Sequence, residues 1–307
     1  MAAKRKTLFD NTQGARRRPG KVTSRQAGVS AVAICGVGLI GGSIAERLKS
    51  RRRALRIIGY DKKATIRRAL KERLIDKAET SLKTILAEAD IVILSANPAS
   101  NEVLLKRLSC CECDTSALIL DTGSMQTGIA RLAKTLVWKN NAHFISAHPM
   151  AGREVQGLQN RQTDLFVDHP FFFDDSAPLP LGDMRRLSWF TRTLGSYPIF
   201  VNSKTHDQVM TDISQIPQLL STLIGAFVQD YERETIRLAG TGLQSMIRLG
   251  GSPYSNWHDV FIENSPYLSR RLRLLIRELQ RIEREISDAG DIAAHFKRAQ
   301  RSYSCLW

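Results

Sequence analysis

A glycine-rich turn between an apolar run and a helical pattern is the feature that most constrains the fold of this chain. The run Ala31–Cys35 is continuously apolar, which is typical of a strand buried on both faces of a parallel sheet. Gly36, Gly38 and Gly41 follow it, and the amphipathic segment Gly41–Lys49 comes next. This order of strand, tight turn and helix predicts the first βα unit of an open α/β sheet.

The same alternation continues along the first two thirds of the chain, which indicates a mostly parallel sheet with helices on both faces. The predicted strands are Ala31–Cys35, Arg56–Tyr60, Ile91–Ser95, Ala117–Asp121, Phe144–Ala147, Phe171–Phe173 and Pro198–Val201. The predicted helices between them include Gly41–Lys49, Ala64–Arg73, Ser100–Leu108 and Gln126–Leu136. We therefore predict an α/β protein in which a Rossmann-type, doubly wound sheet over residues 30–201 is followed by an all-helical domain over residues 202–307.

The predicted helical domain contains two long helices. Lys204–Tyr231 is expected to kink at Pro217, because a proline removes a backbone donor and clashes with the preceding turn. A later helix is expected to start with Ser265 as its N-cap and Pro266 at its first position, and to end at Gly290. Its apolar residues form a narrow stripe at coiled-coil spacing: Leu268, Leu272, Leu275, Leu279, Ile282 and Ile286. The stripe predicts packing across the two-fold axis of a homodimer, with packing inside one subunit as the alternative.

The glycine pattern, placed between a strand and a helix, predicts a dinucleotide-binding turn. Gly36 permits the tight turn, Gly38 lets the backbone approach a pyrophosphate, and Gly41 lets helix and strand pack closely. The phosphates would lie on the amide groups that open the helix, which belong to Leu39 and Ile40.

Asp61 ends the second predicted strand, where a carboxylate can accept hydrogen bonds from ribose hydroxyls and repel a 2′-phosphate. NAD is therefore the predicted cofactor. NADP is the alternative, because Lys62, Lys63 and Arg67 could neutralise that phosphate. Ala96 follows the third predicted strand at the same edge of the sheet and is expected to contact the cofactor.

Two polar residues follow later strands, at the edge where ligands of open parallel sheets bind. Ser124 is expected to contact substrate or cofactor, to cap the next helix, or both. His148 suits the base of a dehydrogenase, because an unperturbed imidazole titrates at about pH 6.5; a structural role is the alternative. Glu154 could orient His148, gate the site or be an ordinary surface acid.

The net charge of +15 is partly concentrated at the start of the chain, where residues 1–29 carry eight basic residues against one acid. We predict a disordered basic tail there, with a transit peptide or a nucleic-acid arm as alternatives. The predicted location is cytoplasmic, with no membrane and no nucleic-acid partner, because no run of about 18 apolar residues and no nucleic-acid motif occurs. Cys110, Cys111 and Cys113 lack a second ligand pair, so we predict reduced thiols and no metal.

Taken together, these motifs resemble the prephenate and arogenate dehydrogenases over about residues 30–300. The resemblance rests on the dinucleotide pattern, on Asp-Thr-Gly-Ser124, and above all on His148-Pro-Met-Ala-Gly with Glu154. Further matches are Gly157, Asp164-Leu-Phe, His206-Asp207, Ser214-Gln-Ile-Pro217, Arg248, Trp257-His-Asp and Asn264.

The resemblance implies an oxidoreductase of tyrosine and aromatic amino acid biosynthesis, with an NAD(P)-binding domain and a helical domain that forms a homodimer. The implied reaction is oxidative decarboxylation of prephenate to 4-hydroxyphenylpyruvate. By the same resemblance, His148 takes the proton of the C4 hydroxyl, Ser124 hydrogen-bonds that hydroxyl, and Arg248 pairs with a substrate carboxylate.

Three positions depart from the family pattern. Gln218 and Gln126 stand where many members carry His and Lys, and Ile247 replaces a Thr. Gln218 is still expected to contact substrate, together with Arg248 and Glu154. Because two cations are lost, arogenate or 4-amino-4-deoxyprephenate is the alternative substrate. A non-catalytic NAD-binding protein is a further alternative, against which the catalytic residue types argue.

Overall fold

The computed structural model describes residues 27–153, 155–288 and 290–306, which form two compact units. The first unit comprises residues 27–209 together with Gly251–Glu263, and the second comprises residues 210–250 and 264–306. The predicted domain boundary at residue 202 stays a prediction. The predicted basic tail of residues 1–29 lies outside the described residues up to residue 26. Its end was assigned wrongly, because Ala27 and Val29 are buried in the apolar core.

The first unit contains all the strands of the described chain. They are β1 Ala31–Cys35, β2 Arg56–Tyr60, β3 Lys77–Ala78, β4 Ile91–Leu94, β5 Leu118–Asp121, β6 His143–Ile145, β7 Ala147–Pro149, β8 Pro170–Asp174 and β9 Tyr197–Val201. Its helices are α1 Leu39–Arg51, α2 Lys63–Lys71, α3 Leu82–Glu88, α4 Pro98–Ser109, α5 Thr127–Thr135, α6 Leu181–Leu194, α7 Ser203–Met210 and α11 His258–Glu263, with 3₁₀ turns at Leu158–Asn160 and Tyr254–Asn256.

Six of these strands form one parallel sheet in the order β3-β2-β1-β4-β5-β6. This is the doubly wound order of Rossmann-type proteins, so the predicted fold class is confirmed. Val32 and Ile34 of β1 pack into one apolar cluster, whereas Ala33 and Cys35 pack into the other. β1 is thus buried on both faces, which explains its continuously apolar sequence.

The prediction Phe144–Ala147 is wrong in treating two strands as one. β6 ends at Ile145, and β7 starts at Ala147 in a second sheet with the order β7-β8-β9. β7 runs antiparallel to β8, and β8 runs parallel to β9. Strand β3 was also missed, because it has only two residues, neither of them buried.

The second unit is helical. It contains a π-helical turn at Thr211–Gln215, followed by α8 Ile216–Phe227, α9 Arg233–Arg237, α10 Thr241–Ile247, a 3₁₀ turn at Arg248–Gly251, α12 Ser265–Ser287 and α13 Ala293–Leu306. The prediction of one long helix over Lys204–Tyr231 is therefore corrected to α7, the π turn and α8. Pro217 lies in the first turn of α8, where its missing donor is tolerated, and the interruption falls just before it.

Asn264, and not Ser265, is the N-cap of α12. Asn264 is buried, and its Nδ2 donates to Thr211 Oγ1 at 2.7 Å and to Gln215 Oε1 at 2.9 Å. The side chain therefore links the start of α12 to the π turn and caps nothing. At the other end, α12 stops at Ser287, and Gly290 lies beyond it with its amide donating to Glu285 O at 2.7 Å.

The stripe on α12 is buried only at its start. Leu268 is 7% exposed, whereas Leu279 is 52% and Ile286 is 58% exposed in the single chain. Among the described residues, no helix combines the length and the apolar character that crossing a membrane requires.

Candidate active site

The turn after β1 has the geometry that its glycines predict. Gly36 has a φ of +101°, and a Cβ there would lie 2.5 Å from the backbone nitrogen of Ala96. A Cβ at Gly41 would lie 2.0 Å from the carbonyl oxygen of Gly36, so α1 starts too close to the turn for a side chain. A Cβ at Gly38 would meet no atom within 4 Å, which leaves the backbone there open to a ligand.

The start of α1 suits a phosphate group. Gly38 is the N-cap and supplies no side-chain hydrogen bond to the helix. The half-buried residues Leu39 and Ile40 follow it, and the amide groups that open a helix attract anions. A glycine N-cap with open space beside it is thus a cradle that a pyrophosphate fits.

Asp61 lies next to the same turn. Its Oδ2 accepts from the Val37 amide at 2.7 Å, and its Oδ1 accepts from the Lys62 amide at 2.6 Å. Each carboxylate oxygen keeps a further lone pair for a ribose hydroxyl. Ala96 is half-buried at the end of β4, and its amide donates to Asn101 Oδ1 at 3.0 Å. These residues fit a dinucleotide whose ribose carries no 2′-phosphate.

Asp121, the last residue of β5, connects the next two loops of the site. Its Oδ1 accepts from the Ala147 amide, and its Oδ2 accepts from the Gly123 amide, both at 3.0 Å. Burial raises the pKa of Asp121 to about 7, although the two amide groups act in the opposite direction. The side chain thus holds the loop that leads to Ser124 beside the strand that carries His148.

Ser124 is exposed and does not cap a helix. The N-cap of α5 is Gln126, which is fully buried and makes no side-chain cap hydrogen bond. Gln126 Nε2 donates to Phe172 O at 3.5 Å, while its Oε1 has no hydrogen-bond partner. The capping alternative for Ser124 is therefore wrong, and its hydroxyl remains available to a ligand.

His148 is the outermost member of a row of three side chains. Its Nδ1 lies 3.0 Å from His206 Nε2, and His206 Nδ1 lies 2.8 Å from Asp207 Oδ1. His206 and Asp207 are buried, at 0% and 2% exposure, whereas His148 is half-buried. Asp207 also accepts from the amides of Gln126 at 3.0 Å and Thr127 at 2.9 Å. The row therefore ends on the N-terminus of α5.

Burial lowers the pKa of His148 well below its ordinary value, and the neighbouring His206 lowers it further. His148 is accordingly neutral near pH 7 and keeps a lone pair on one ring nitrogen. The sequence placed His148 after a strand, whereas it is the middle residue of β7. A neutral imidazole there can accept a proton from a bound hydroxyl group.

The second unit carries the other predicted site residues. Gln218 is buried in α8, and its Nε2 donates to Leu249 O at 2.9 Å and to Thr222 Oγ1 at 3.3 Å. Gln218 therefore links α8 to the turn that contains Arg248, whose side chain is exposed. Glu154 lies outside the described residues.

Sequence reasoning missed Asp121, His206 and Asp207 as members of the site. His206 and Asp207 were noted only as part of the family pattern, because 58 residues separate His206 from His148 along the chain. Two sequence features could have identified them. Asp121 is an acid at the end of a buried strand, and His206-Asp207 is a His-Asp pair near the start of a predicted helix.

Comparisons with known proteins agree with this geometry. Residues 44–179 match the family model described as prephenate dehydrogenase, nucleotide-binding domain, and residues 202–298 match prephenate dehydrogenase, dimerization domain. The cyclohexadienyl dehydrogenase of Zymomonas mobilis is 27% identical over 90% of this chain and 95% of its own length. The prephenate dehydrogenase of Lactococcus lactis is also 27% identical, over 88% of this chain and 75% of its own length.

A solved structure has the same fold. It is the prephenate dehydrogenase of A. aeolicus in complex with hydroxyphenyl propionate and NAD+, which superposes with a TM-score of 0.79 at 21% identity. The match covers 91% of this chain and 98% of that one. With two family models matched in order, the chain belongs to the prephenate and arogenate dehydrogenase family, whose members are oxidoreductases.

Proposed function

We propose that this protein is an NAD-dependent prephenate dehydrogenase of tyrosine biosynthesis, which converts prephenate to 4-hydroxyphenylpyruvate and CO₂. The observation that carries the proposal is the row from His148 to Asp207, which presents a neutral imidazole on β7 of the nucleotide-binding unit. The named relatives support the same substrate class.

The residues that would hold the cofactor are Gly36, Gly38, Leu39, Ile40, Gly41, Asp61, Ala96 and Ser124. The open backbone at Gly38 and the fixed carboxylate of Asp61 support this assignment. The NAD+ in the similar A. aeolicus structure supports it as well. NAD is preferred over NADP because the Asp61 carboxylate would repel a 2′-phosphate.

His148 acts as the base in this proposal. It takes the proton of the C4 hydroxyl while Ser124 hydrogen-bonds the same oxygen. Bound NAD+ would accept the hydride that leaves C4. The ring carboxylate then departs as CO₂ with its bonding electrons left in the ring, and His148 can return the proton to the phenolate oxygen. Aromatisation of the ring drives the reaction forward.

Arg248 is proposed to bind a substrate carboxylate, because a planar guanidinium can donate two parallel hydrogen bonds to it. Gln218 supports this role by its hydrogen bond to Leu249, the residue after Arg248. A contact of Gln218 or Glu154 with substrate remains part of the proposal.

A homodimer through the helical unit also belongs to the proposal. The matched dimerization-domain model and the exposed part of the α12 stripe support it. A cytoplasmic location is proposed too, and cell fractionation with an antibody against the protein would test it.

The testing experiment follows NADH or NADPH formation by absorbance, with prephenate or arogenate offered separately and each paired with NAD or NADP. We expect turnover of prephenate with NAD. Turnover of arogenate alone would contradict the proposed substrate. In His148→Asn, kcat should fall about 10²–10⁴-fold, the usual effect of losing a positioned base, while the Kd for NADH stays unchanged. Unchanged turnover in this variant would contradict the role of His148.

A further inference from the structure

The hydrogen bonds around His206 have a defined direction. Asp207 accepts hydrogen bonds from the backbone amides of Gln126 and Thr127, so both of its carboxylate oxygens face hydrogen-bond donors. A carboxylate can only accept, and His206 Nδ1 must therefore donate to Asp207 Oδ1. In a neutral His206 this leaves the lone pair on Nε2, which faces His148 Nδ1.

The same reasoning fixes the proton on His148. Because His206 Nε2 is an acceptor, His148 Nδ1 must carry the hydrogen, and the lone pair of His148 then lies on Nε2. Burial preserves this order, since His206 is 0% exposed and its ring also packs edge-on against Phe172 at a centroid distance of 5.3 Å. The basic nitrogen of His148 is thus the one that does not contact His206.

We propose that His206 and Asp207 are positioning residues that hold His148 in its Nδ1–H tautomer and share the proton that His148 accepts. The inference rests on the proposed function, in which His148 Nε2 takes the hydroxyl proton of the substrate. As that proton binds to Nε2, the Nδ1 proton can move to His206 Nε2, and the resulting imidazolium lies beside the Asp207 carboxylate. Return of the proton to the phenolate reverses both transfers, so no proton is lost or gained.

The variant Asp207→Asn tests the donor-to-acceptor direction of the hydrogen bonds that join His148, His206 and Asp207. In the wild type, Oδ1 of Asp207 faces both His206 Nδ1 and the Gln126 amide, and Oδ2 accepts from the Thr127 amide. An Asn whose NH₂ group takes the place of Oδ1 would donate to His206 and keep the Thr127 contact, at the expense of the Gln126 contact. His206 Nδ1 would then accept, its Nε2 would donate to His148, and His148 would carry its proton on Nε2. We expect kcat for prephenate to fall about 10²–10⁴-fold with KM nearly unchanged, because the base is in the wrong tautomer.

Two substitutions of His206 distinguish a positioning role of this side chain from a packing role. In His206→Gln the amide oxygen can still accept from His148 Nδ1, whereas His206→Phe fills the same space without an acceptor. We expect His206→Gln to retain kcat at least about tenfold higher than His206→Phe, since a buried donor is left without a partner only in the Phe variant. A role in packing alone predicts that the Phe variant is at least as active as the Gln variant, and that result would overturn the proposal.

NMR of ¹⁵N-histidine-labelled protein reads the tautomer without any turnover. The chain has six histidines, and His148→Asn identifies the His148 signals by their loss. We expect a protonated Nδ1 and a free Nε2 in the wild type, and the reverse in Asp207→Asn. Glu263 also interacts electrostatically with Asp207, so spectra are compared at one fixed pH.

The two readouts separate failure of the inference from failure of the proposed function. If the wild type does not oxidise prephenate but shows the Nδ1–H tautomer and its reversal, the function fails and the positioning role stands. If the wild type is active but carries its His148 proton on Nε2, the inference is wrong.

Discussion

Asp121 illustrates how burial and hydrogen bonding oppose each other on a single side chain. It is 1% exposed, and two backbone amides donate to its oxygens. The amides favour the carboxylate, whereas removal from water favours the neutral acid, and burial has the larger effect. The charge of this residue therefore depends on pH close to neutrality.

This shift makes the stability of the protein depend on pH. The unfolded chain ionises Asp121 near its ordinary pKa of 3.8, whereas the folded chain keeps the proton up to about pH 7. Between these values the folded state binds more protons, so the free energy of unfolding falls as the pH rises. We expect Asp121 to lower it by on the order of 4 kcal/mol in total across this range.

Asp121→Asn provides the measurement, because an amide does not titrate. Urea unfolding of both proteins at pH 5 and at pH 8 should show the variant gaining stability relative to the wild type as the pH rises. The exposed Asp175→Asn serves as a control that should track the wild type. A wild-type-to-Asp121→Asn difference that is the same at both pH values would refute the shifted pKa.

At the scale of elements, β1 and α1 are joined by three glycines that do different things. Gly41 is required because α1 passes against the carbonyl oxygen of Gly36. Gly38 has no such neighbour, and close approach of a cofactor phosphate is the proposed reason for a glycine there. Within this motif, Gly41 is therefore expected to matter for stability and Gly38 for cofactor binding.

Replacing each of these glycines with alanine should give opposite results. Gly41→Ala places a methyl group against backbone, which cannot move cheaply, and should destabilise the protein by about 1–3 kcal/mol or more. Gly38→Ala should leave the melting temperature nearly unchanged. It should raise the Kd for NADH about 10- to 100-fold, if a hydrogen bond to a phosphate worth about 1.5–3 kcal/mol is lost.

Thermal unfolding and NADH titration by fluorescence are the two measurements for this pair. Equal NADH affinity in Gly38→Ala and wild type would contradict the predicted approach of a pyrophosphate at that position. A stable Gly41→Ala would show that α1 can shift away from the turn.

At the scale of the whole molecule, the apolar stripe on α12 is the feature that a single chain leaves partly exposed to solvent. Half of the Leu279 and Ile286 side chains remain exposed. Exposed apolar residues at regular spacing on a 23-residue helix are typical of an interface with another helix. The matched dimerization-domain model supports the proposal that a second copy covers them.

Leu279→Glu tests this proposal. Loss of a buried leucine costs about 1.5–3 kcal/mol, and a two-fold interface loses it twice, so the dimer Kd should rise about 100-fold or more. Light scattering after size exclusion measures the mass, and Gln280→Glu is the control with the same added charge on the exposed neighbour. A dimer that persists in Leu279→Glu at low concentration would place the interface elsewhere.

The sequence by itself determined the parts of this protein that depend on local patterns. β1 and β2 were predicted with their exact bounds, because short apolar runs rich in Val and Ile and bounded by turn residues are typical of buried strands. The glycine turn and the position of Asp61 were predictable for the same reason, since backbone sterics act between neighbours in the chain.

Tertiary structure alone decided the contacts between distant segments. At the start of β7, the Ala147 amide donates to Asp121, which lies 26 residues earlier in the chain. The row behind His148 joins residues that lie 58 positions apart. Asn264 likewise precedes α12 without a side-chain cap hydrogen bond, and its side chain donates to the π turn instead. Such partners are chosen by burial, which leaves a polar group no water to bind, and burial is a property of the folded chain.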